Sequence, residues 1–284
     1  VIVSCNATAQ RDKIVSDGQQ GLSQDEKRDA KRRAAPSATV VFEAIRREAK
    51  AELQRPNDAL FWSALAAGLS MGFSFIAEAM LRKGLPEAEW TYLISKLGYS
   101  VGFLIVILGR QQLFTENTLT PVLELLRERS SRVFAQTLRL WSVVMLGNLV
   151  GTFLFALLLF GTAMLDSHPA SIFESIAAHT VAGGFWTTFV QAIFAGWLIA
   201  LTIWLLPFAE TARVGVIIIL TYLIGIGGFP HIIAGSTEAF FAVMSGVVST
   251  GDAVGRFFVP TLLGNIVGGV ALVAALNFGQ VTTR

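Results

Sequence analysis

From Ala59 onward the chain alternates long apolar stretches with short polar punctuation. Six stretches stand out: Ala59–Leu81, Tyr92–Leu113, Leu138–Leu165, Val181–Leu206, Val214–Met244 and Phe257–Phe278. Each is close to or longer than the roughly 20 residues that cross a bilayer as a helix. The pattern predicts an all-α membrane protein with six transmembrane helices. The fifth stretch is too long for one clean crossing and contains Gly225, Gly227, Gly228 and Pro230. The second ends in the polar cluster Gly109-Arg110-Gln111-Gln112. Both predict broken helices, because irregular backbone at membrane depth is tolerated only against protein or a water-filled cavity.

Residues 1–55 read differently. The mixed charges from Asp25 to Arg33 predict a solvated polar tail. Within it, Phe42, Ile45, Ala49 and Leu53 recur at helical spacing, with Arg46, Arg47 and Lys50 on the other face. That predicts an amphipathic helix over about 40–53, lying on an anionic membrane surface. Pro56-Asn57-Asp58 then supplies a stop and a fresh helix start. The expected division is a tail, 1–55, and a six-helix transmembrane domain, 56–284.

Composition sharpens the picture. Charged residues make up 15% of the 284-residue chain, against the roughly 25% usual in soluble domains, and hydrophobic residues 53%. Mean hydropathy is +0.60. Half of the 22 basic side chains precede Ala59, so the membrane body is poorer still in charge. A soluble two-domain enzyme and a disordered scaffold are excluded. A net charge of +2 gives no reason to expect a nucleic-acid partner, and a single cysteine excludes a cysteine metal site or an internal disulfide. Arg127, Arg129, Arg132, Arg139 and Arg213 fall in loops on the side of the basic tail, whereas no Lys or Arg occurs from Leu140 to Ala212. The positive-inside rule then predicts a multi-pass protein of the cell inner (plasma) membrane with both termini cytoplasmic.

An internal repeat locates the centre. Gly147-Asn148-Leu149-Val150-Gly151 in the third stretch is matched by Gly264-Asn265-Ile266-Val267-Gly268 in the sixth. Phe114 precedes the first motif by 33 residues and Phe229 precedes the second by 35, so each follows one of the broken stretches. Three spans followed by three similar ones must run in opposite senses. That is an inverted 3+3 repeat, in which paired broken helices build a path at mid-membrane. His231 is the one histidine inside an apolar stretch, since His168 and His179 fall between the third and fourth. Imidazole changes charge near neutral pH, so a permeating weak-acid anion can share a proton there and cross neutral.

Leu113-Phe114-Thr115-Glu116-Asn117, Gly228-Phe229-Pro230-His231 and Val259-Pro260-Thr261-Leu262-Leu263-Gly264-Asn265 resemble the signature segments of the formate/nitrite transporter family. The resemblance runs from about Ala59 to Phe278. It implies an aquaporin-like six-helix protomer, a homopentamer in the lipid bilayer, and one pore per protomer passing small monovalent anions or their acids: formate, nitrite, acetate, lactate or hydrosulfide, with protons. It places His231 opposite Thr115 in the pore; Glu116 and Asn117, next to Thr115, are further candidate pore residues. It also makes Tyr99, Phe103, Leu113, Phe114 and Ile224 apolar constrictions; from the residues themselves, Gly228 and Pro230 are expected to shape the break. No cofactor is implied.

The chain also departs from the commoner family pattern. Pro230 replaces a glutamate before the histidine, Gly196 and Gly235 stand where asparagines often sit, and Thr180 replaces a vestibule lysine. These changes affect substrate choice more than fold. Lys96 and Glu78 are expected to snorkel or to pair; Arg110 and Glu116 either line the cytoplasmic mouth or pair with each other. A neutral-solute channel and a non-transporting sensor remain as rival readings. Gly68-Leu69-Ser70-Met71-Gly72 fits a serine-nucleophile pattern but lies within an apolar helix, where small residues serve close packing.

Overall fold

The structure is a computed structural model and describes residues 23–26, 28, 37–162 and 170–282. Cys5, His168 and most of the charged run from Asp25 to Arg33 lie outside the described residues. The chain divides into two units, Val1–Ser37 and Ala38–Arg284. The helices named below all belong to the second.

Helix α1 (Ala38–Leu53) is followed by α2 (Asn57–Gly84), α3 (Thr91–Leu108), α4 (Thr120–Glu128), α5 (Ser131–Gly161) and α6 (Ala170–Val181). The second half contains α7 (Phe185–Leu205), α8 (Arg213–Ile226), α9 (Ile232–Met244) and α10 (Thr250–Val281). Helices α2, α3, α5, α7 and α10 are long and apolar enough to cross a membrane. Helices α8 and α9, of 14 and 13 residues, are each too short to do so alone.

Several boundaries move from their predicted places. The second apolar stretch stops being helix at Leu108 rather than Leu113, because Gly109 and Arg110 turn the chain. The fourth helix starts at Phe185. Val181 closes the separate helix α6, and the extended backbone of Gly184 caps α7. Hydropathy does not register a two-glycine interruption inside an apolar run. The last helix begins earlier than expected, at Thr250, where the Ser249 hydroxyl accepts the Asp252 N–H at 3.1 Å.

Small residues determine how the long helices meet. Helix α2 packs on α5 so closely that a Cβ at Gly68 would lie 2.2 Å from the Asn148 carbonyl oxygen. The same contact recurs between α7 and α10, where a Cβ at Gly196 would lie 2.2 Å from the Asn265 carbonyl oxygen. The Gly68–Gly72 run is therefore a helix-contact surface. Gly196 is also a packing residue in this chain.

The apolar stripe of α1 meets protein, which corrects the expected lipid contact. Phe42, Ile45, Ala49 and Leu53 are all buried, and the cluster around Phe42 and Ile45 includes Leu119, Leu123, Ala200 and Val273. The polar face is tied down as well. Arg46 bridges Glu43 and the buried Glu124, each at 2.8 Å. Arg46 holds the Glu43 carboxyl well below its usual range, at about 2.

Candidate functional site

Both broken helices end in the same local structure. At the end of α3, Gln111 N–H donates to Val106 O at 3.0 Å and Arg110 N–H to Ile107 O at 3.2 Å. At the end of α8, Phe229 N–H donates to Ile224 O at 3.1 Å and Gly228 N–H to Gly225 O at 3.2 Å. Each is a Schellman ending, which needs a left-handed residue just past the helix. Gly228 fills that place with φ +60°, and Arg110 fills it with φ +51°. Beyond the endings, Gln112 corresponds to Pro230, Leu113 to His231, and Phe114 to Ile232.

The repeated asparagines hold these two turns. Asn148 Oδ1 accepts the Phe114 N–H at 2.9 Å, and its Nδ2 donates to Ala64 O at 2.8 Å and Gln112 O at 2.9 Å. Asn265 Oδ1 accepts the Ile232 N–H at 2.9 Å, and its Nδ2 donates to Ala192 O at 2.8 Å and Pro230 O at 3.0 Å. Breaking a helix leaves amide and carbonyl groups that cannot stay unpaired in an apolar interior. One fully buried Asn per half satisfies two of them and anchors the turn to the backbone of α2 or α7. The Asn-containing repeat thus has a physical cause.

The two turns bring Thr115 and His231 together. Thr115 Oγ1 lies 2.7 Å from His231 Nε2, and both side chains are buried. His231 also caps α9, its Nδ1 accepting the Ala234 N–H at 3.1 Å. A neutral ring that accepts at Nδ1 carries its proton on Nε2, which donates to Thr115 Oγ1. The Thr115 hydroxyl then has its own hydrogen to offer a ligand. Phe103 meets the imidazole edge-on at 5.0 Å, and Tyr99 packs on Phe103 at 5.4 Å.

The other expected residues divide by position. Leu113, Phe114 and Ile224 are buried in the same apolar cluster as Phe103, with the Phe114 ring turned to Trp141 at 5.7 Å. Asn117 braces the first turn, donating to Gln112 Oε1 at 3.0 Å and to Leu113 O at 3.3 Å. Glu116 and Arg110 are not bonded to each other: Arg110 pairs with Glu48 of α1 at 2.7 Å, and Glu116 Oε1 is buried without a partner. Both line a cavity of about 530 Å³ whose other walls include Glu48 and Glu52 of α1, Ile203 and Arg213. Lys96 and Glu78 form a buried ion pair at 2.5 Å. Glu238 is a buried carboxylate that the sequence reading passed over; it accepts a hydrogen bond from Thr180. Its signal was an acidic residue in an otherwise apolar stretch. Among the described residues no group of three His, Cys, Asp or Glu side chains is placed to hold a metal.

Comparison with known proteins agrees with this architecture. The family model described as formate/nitrite transporter matches residues 39–279. The chain is 38% identical over 244 residues to the inner membrane protein YfdC of Escherichia coli (strain K12), covering 86% of this chain and 79% of that one. It is 28% identical over 234 residues to formate-nitrite transporter 3 of Toxoplasma gondii (strain ATCC 50611 / Me49), covering 77% and 46% respectively. Among solved structures, a pentameric formate channel with formate bound superposes with a TM-score of 0.71 at 22% identity, over 80% of this chain and 98% of that one. A family of transporters sets aside the intramembrane-enzyme reading of Ser70. The chain is a multi-pass membrane protein and belongs to the formate/nitrite transporter family.

Proposed function

We propose that this chain is a channel or transporter for small monovalent weak-acid anions, such as formate or nitrite, with proton assistance at His231. The observation that carries the reading is the contact between Thr115 and His231. Two helix breaks, each held by its own asparagine, converge on one hydroxyl and one imidazole within an apolar cluster. A bare charge at the centre of a bilayer costs about 3 kcal/mol or more. An anion that takes hydrogen bonds from Thr115 and His231, and shares a proton there, avoids much of that cost. A second proton on the ring requires Nδ1 to release the Ala234 N–H. Formation of the imidazolium and loosening of the α9 cap are therefore one event in this proposal.

The reading further holds that α8 and α9 together make a sixth crossing, that both termini are cytoplasmic in the inner membrane, and that the working unit is a homopentamer. It is supported by family membership, by the formate channel whose fold the chain shares, and by the basic loops of one face. In this orientation α1 walls the cytoplasmic vestibule through Glu48 and Glu52. Tyr99, Phe103, Leu113, Phe114 and Ile224 are the apolar barrier, and Gly228 and Pro230 set the turn that aims His231.

The test is uptake into proteoliposomes of the purified protein. The panel is formate, acetate, nitrite, lactate and hydrosulfide, with glycerol and water as neutral controls. Uptake of one or more anions above protein-free liposomes is expected. Passage of only the neutral controls would move the chain to the neutral-solute reading.

A further inference from the structure

We propose that Glu238, held by Thr180 and flanked by the Glu78–Lys96 pair, is a second proton-exchange station, which protonates weak-acid anions before they reach His231. The inference rests on the proposed function and extends it to the half of the path away from the Glu116 vestibule.

Glu238 lies seven residues beyond His231 on α9, about 10 Å further along the helix. Its carboxylate is 6% exposed and accepts from the Thr180 hydroxyl of α6. Glycine at 235 makes this approach possible: a Cβ there would lie 3.2 Å from the Thr180 methyl and 2.6 Å from the Phe257 ring. Across from Thr180, Glu78 of α2 and Lys96 of α3 form their 2.5 Å pair within electrostatic range of Glu238. Glu78 Oε2 is buried with no hydrogen-bond partner. Glu238 stands outside that ion pair, so it can store and release one proton while the Glu78–Lys96 bridge stays intact.

Its place along the path is equally specific. Lys96 lies three residues before Tyr99 on α3, about one helical turn away. Tyr99 packs on Phe103, which borders His231. Tyr99 and Leu108, a lining residue of the Glu116 cavity, are nine residues apart on α3, about 13 Å. The carboxylate cluster thus stands at one end of the aromatic pair, with His231 at the other and the vestibule beyond. Among titratable groups on elements packed against α9, Glu78 and Lys96 reach Glu238. Arg82 and Lys83 of α2 and His179 of α6 are exposed, and Glu174 of α6 is half-buried. Arg139 of α5 is bonded to the Leu53 carbonyl at 2.9 Å, and Arg256 of α10 pairs with Asp252 at 3.1 Å.

In its capped state His231 has both ring nitrogens bonded, so an anion that arrives already protonated spares the ring from opening its cap before it engages the site. In the proposed step the O–H bond of protonated Glu238 breaks as an O–H bond forms on the anion. Glu238 is left as a carboxylate held by the Thr180 hydroxyl, and the aqueous phase on that side returns its proton. The neutral acid moves on to Thr115 and His231.

The test compares formate uptake by wild type, Glu238→Gln and Glu238→Asp in proteoliposomes at about pH 5.5 and about pH 7.5. Glutamine keeps the size and can still accept from Thr180 but cannot carry the proton. The proposal expects Glu238→Gln to lower uptake roughly tenfold or more and to flatten its pH dependence, with Asp restoring part of the slope. Wild-type rates in Glu238→Gln, or equal loss at both pH values, would overturn it, since a structural carboxylate has no reason to change the slope. Should Glu238→Gln fail to assemble, Thr180→Val removes only the hydroxyl. A shifted pH midpoint then supports the proposal, and an unmoved midpoint contradicts it. No anion uptake by wild type defeats the proposed function itself, a result distinct from normal uptake that ignores Glu238.

Discussion

Asn148 and Asn265 show how one side chain can make a broken helix tolerable inside a membrane. Each satisfies one amide and one carbonyl that the break leaves without helical partners, and ties the turn to a carbonyl of a continuous neighbouring helix. Replacing either by Ala strands those groups, at about 1–3 kcal/mol apiece. We expect Asn148→Ala and Asn265→Ala to lower the thermal midpoint in detergent by similar amounts, well beyond Ser249→Ala at the exposed cap. A midpoint equal to wild type in either variant would show that the turns are held by something else. The asparagines were legible in the sequence as a repeat. Their partners were not, because Ala64, Gln112, Ala192 and Pro230 take part only through backbone carbonyls at long sequence separation. Arg110 was illegible for a related reason: its left-handed backbone is a place that composition assigns to glycine.

Elements follow from spacing more fully than from hydropathy. The stripe of Phe42, Ile45, Ala49 and Leu53 was readable as an amphipathic helix, but a stripe has the same spacing whether lipid or protein covers it. Here α4, α7 and α10 supply the cover. The anchoring of α1 has a definite pH dependence. Glu43 is depressed to about 2 by Arg46, so its contribution is fully present above the ordinary value of 4.5 and is lost as pH falls through about 2. Amide exchange in α1 should therefore be the same, after correction for intrinsic rates, at about pH 7.5 and about pH 5.5. Increased opening across that interval would contradict the Glu43 anchor. Close helix contact gives a second prediction at this scale. Gly68→Ala and Gly196→Ala each put a methyl about 2.2 Å from a backbone oxygen that side-chain motion cannot clear. We expect a loss of about 1–3 kcal/mol in each, read as a lowered thermal midpoint. Gly84→Ala, where the new Cβ would meet nothing, is the control.

At the scale of the whole molecule, the described surface is strongly apolar. Trp62, Leu158, Trp186 and Ile219 are all at least 60% exposed on the single chain, more than a soluble monomer of this size would leave bare. Lipid and neighbouring copies are the partners the proposal assigns to that surface. Cross-linking in mild detergent is expected to give a ladder ending at five copies, and a clean tetramer would contradict the assembly. The repeat was legible at this scale because it recurs in residue identity and spacing. The meeting of Thr115 with His231 was not derivable from spacing alone, since their 116-residue separation carries no periodicity; resemblance to the family supplied it. Glu238 escaped notice because its partners come from three other helices.

The central claim is that His231 couples protons to anion passage. The direct measurement is the ratio of formate uptake at about pH 5.5 to that at about pH 7.5, in wild type and in His231→Phe. The account predicts a ratio well above one for wild type, and a ratio near that of protein-free liposomes for His231→Phe. Undiminished, pH-dependent uptake through His231→Phe would contradict it.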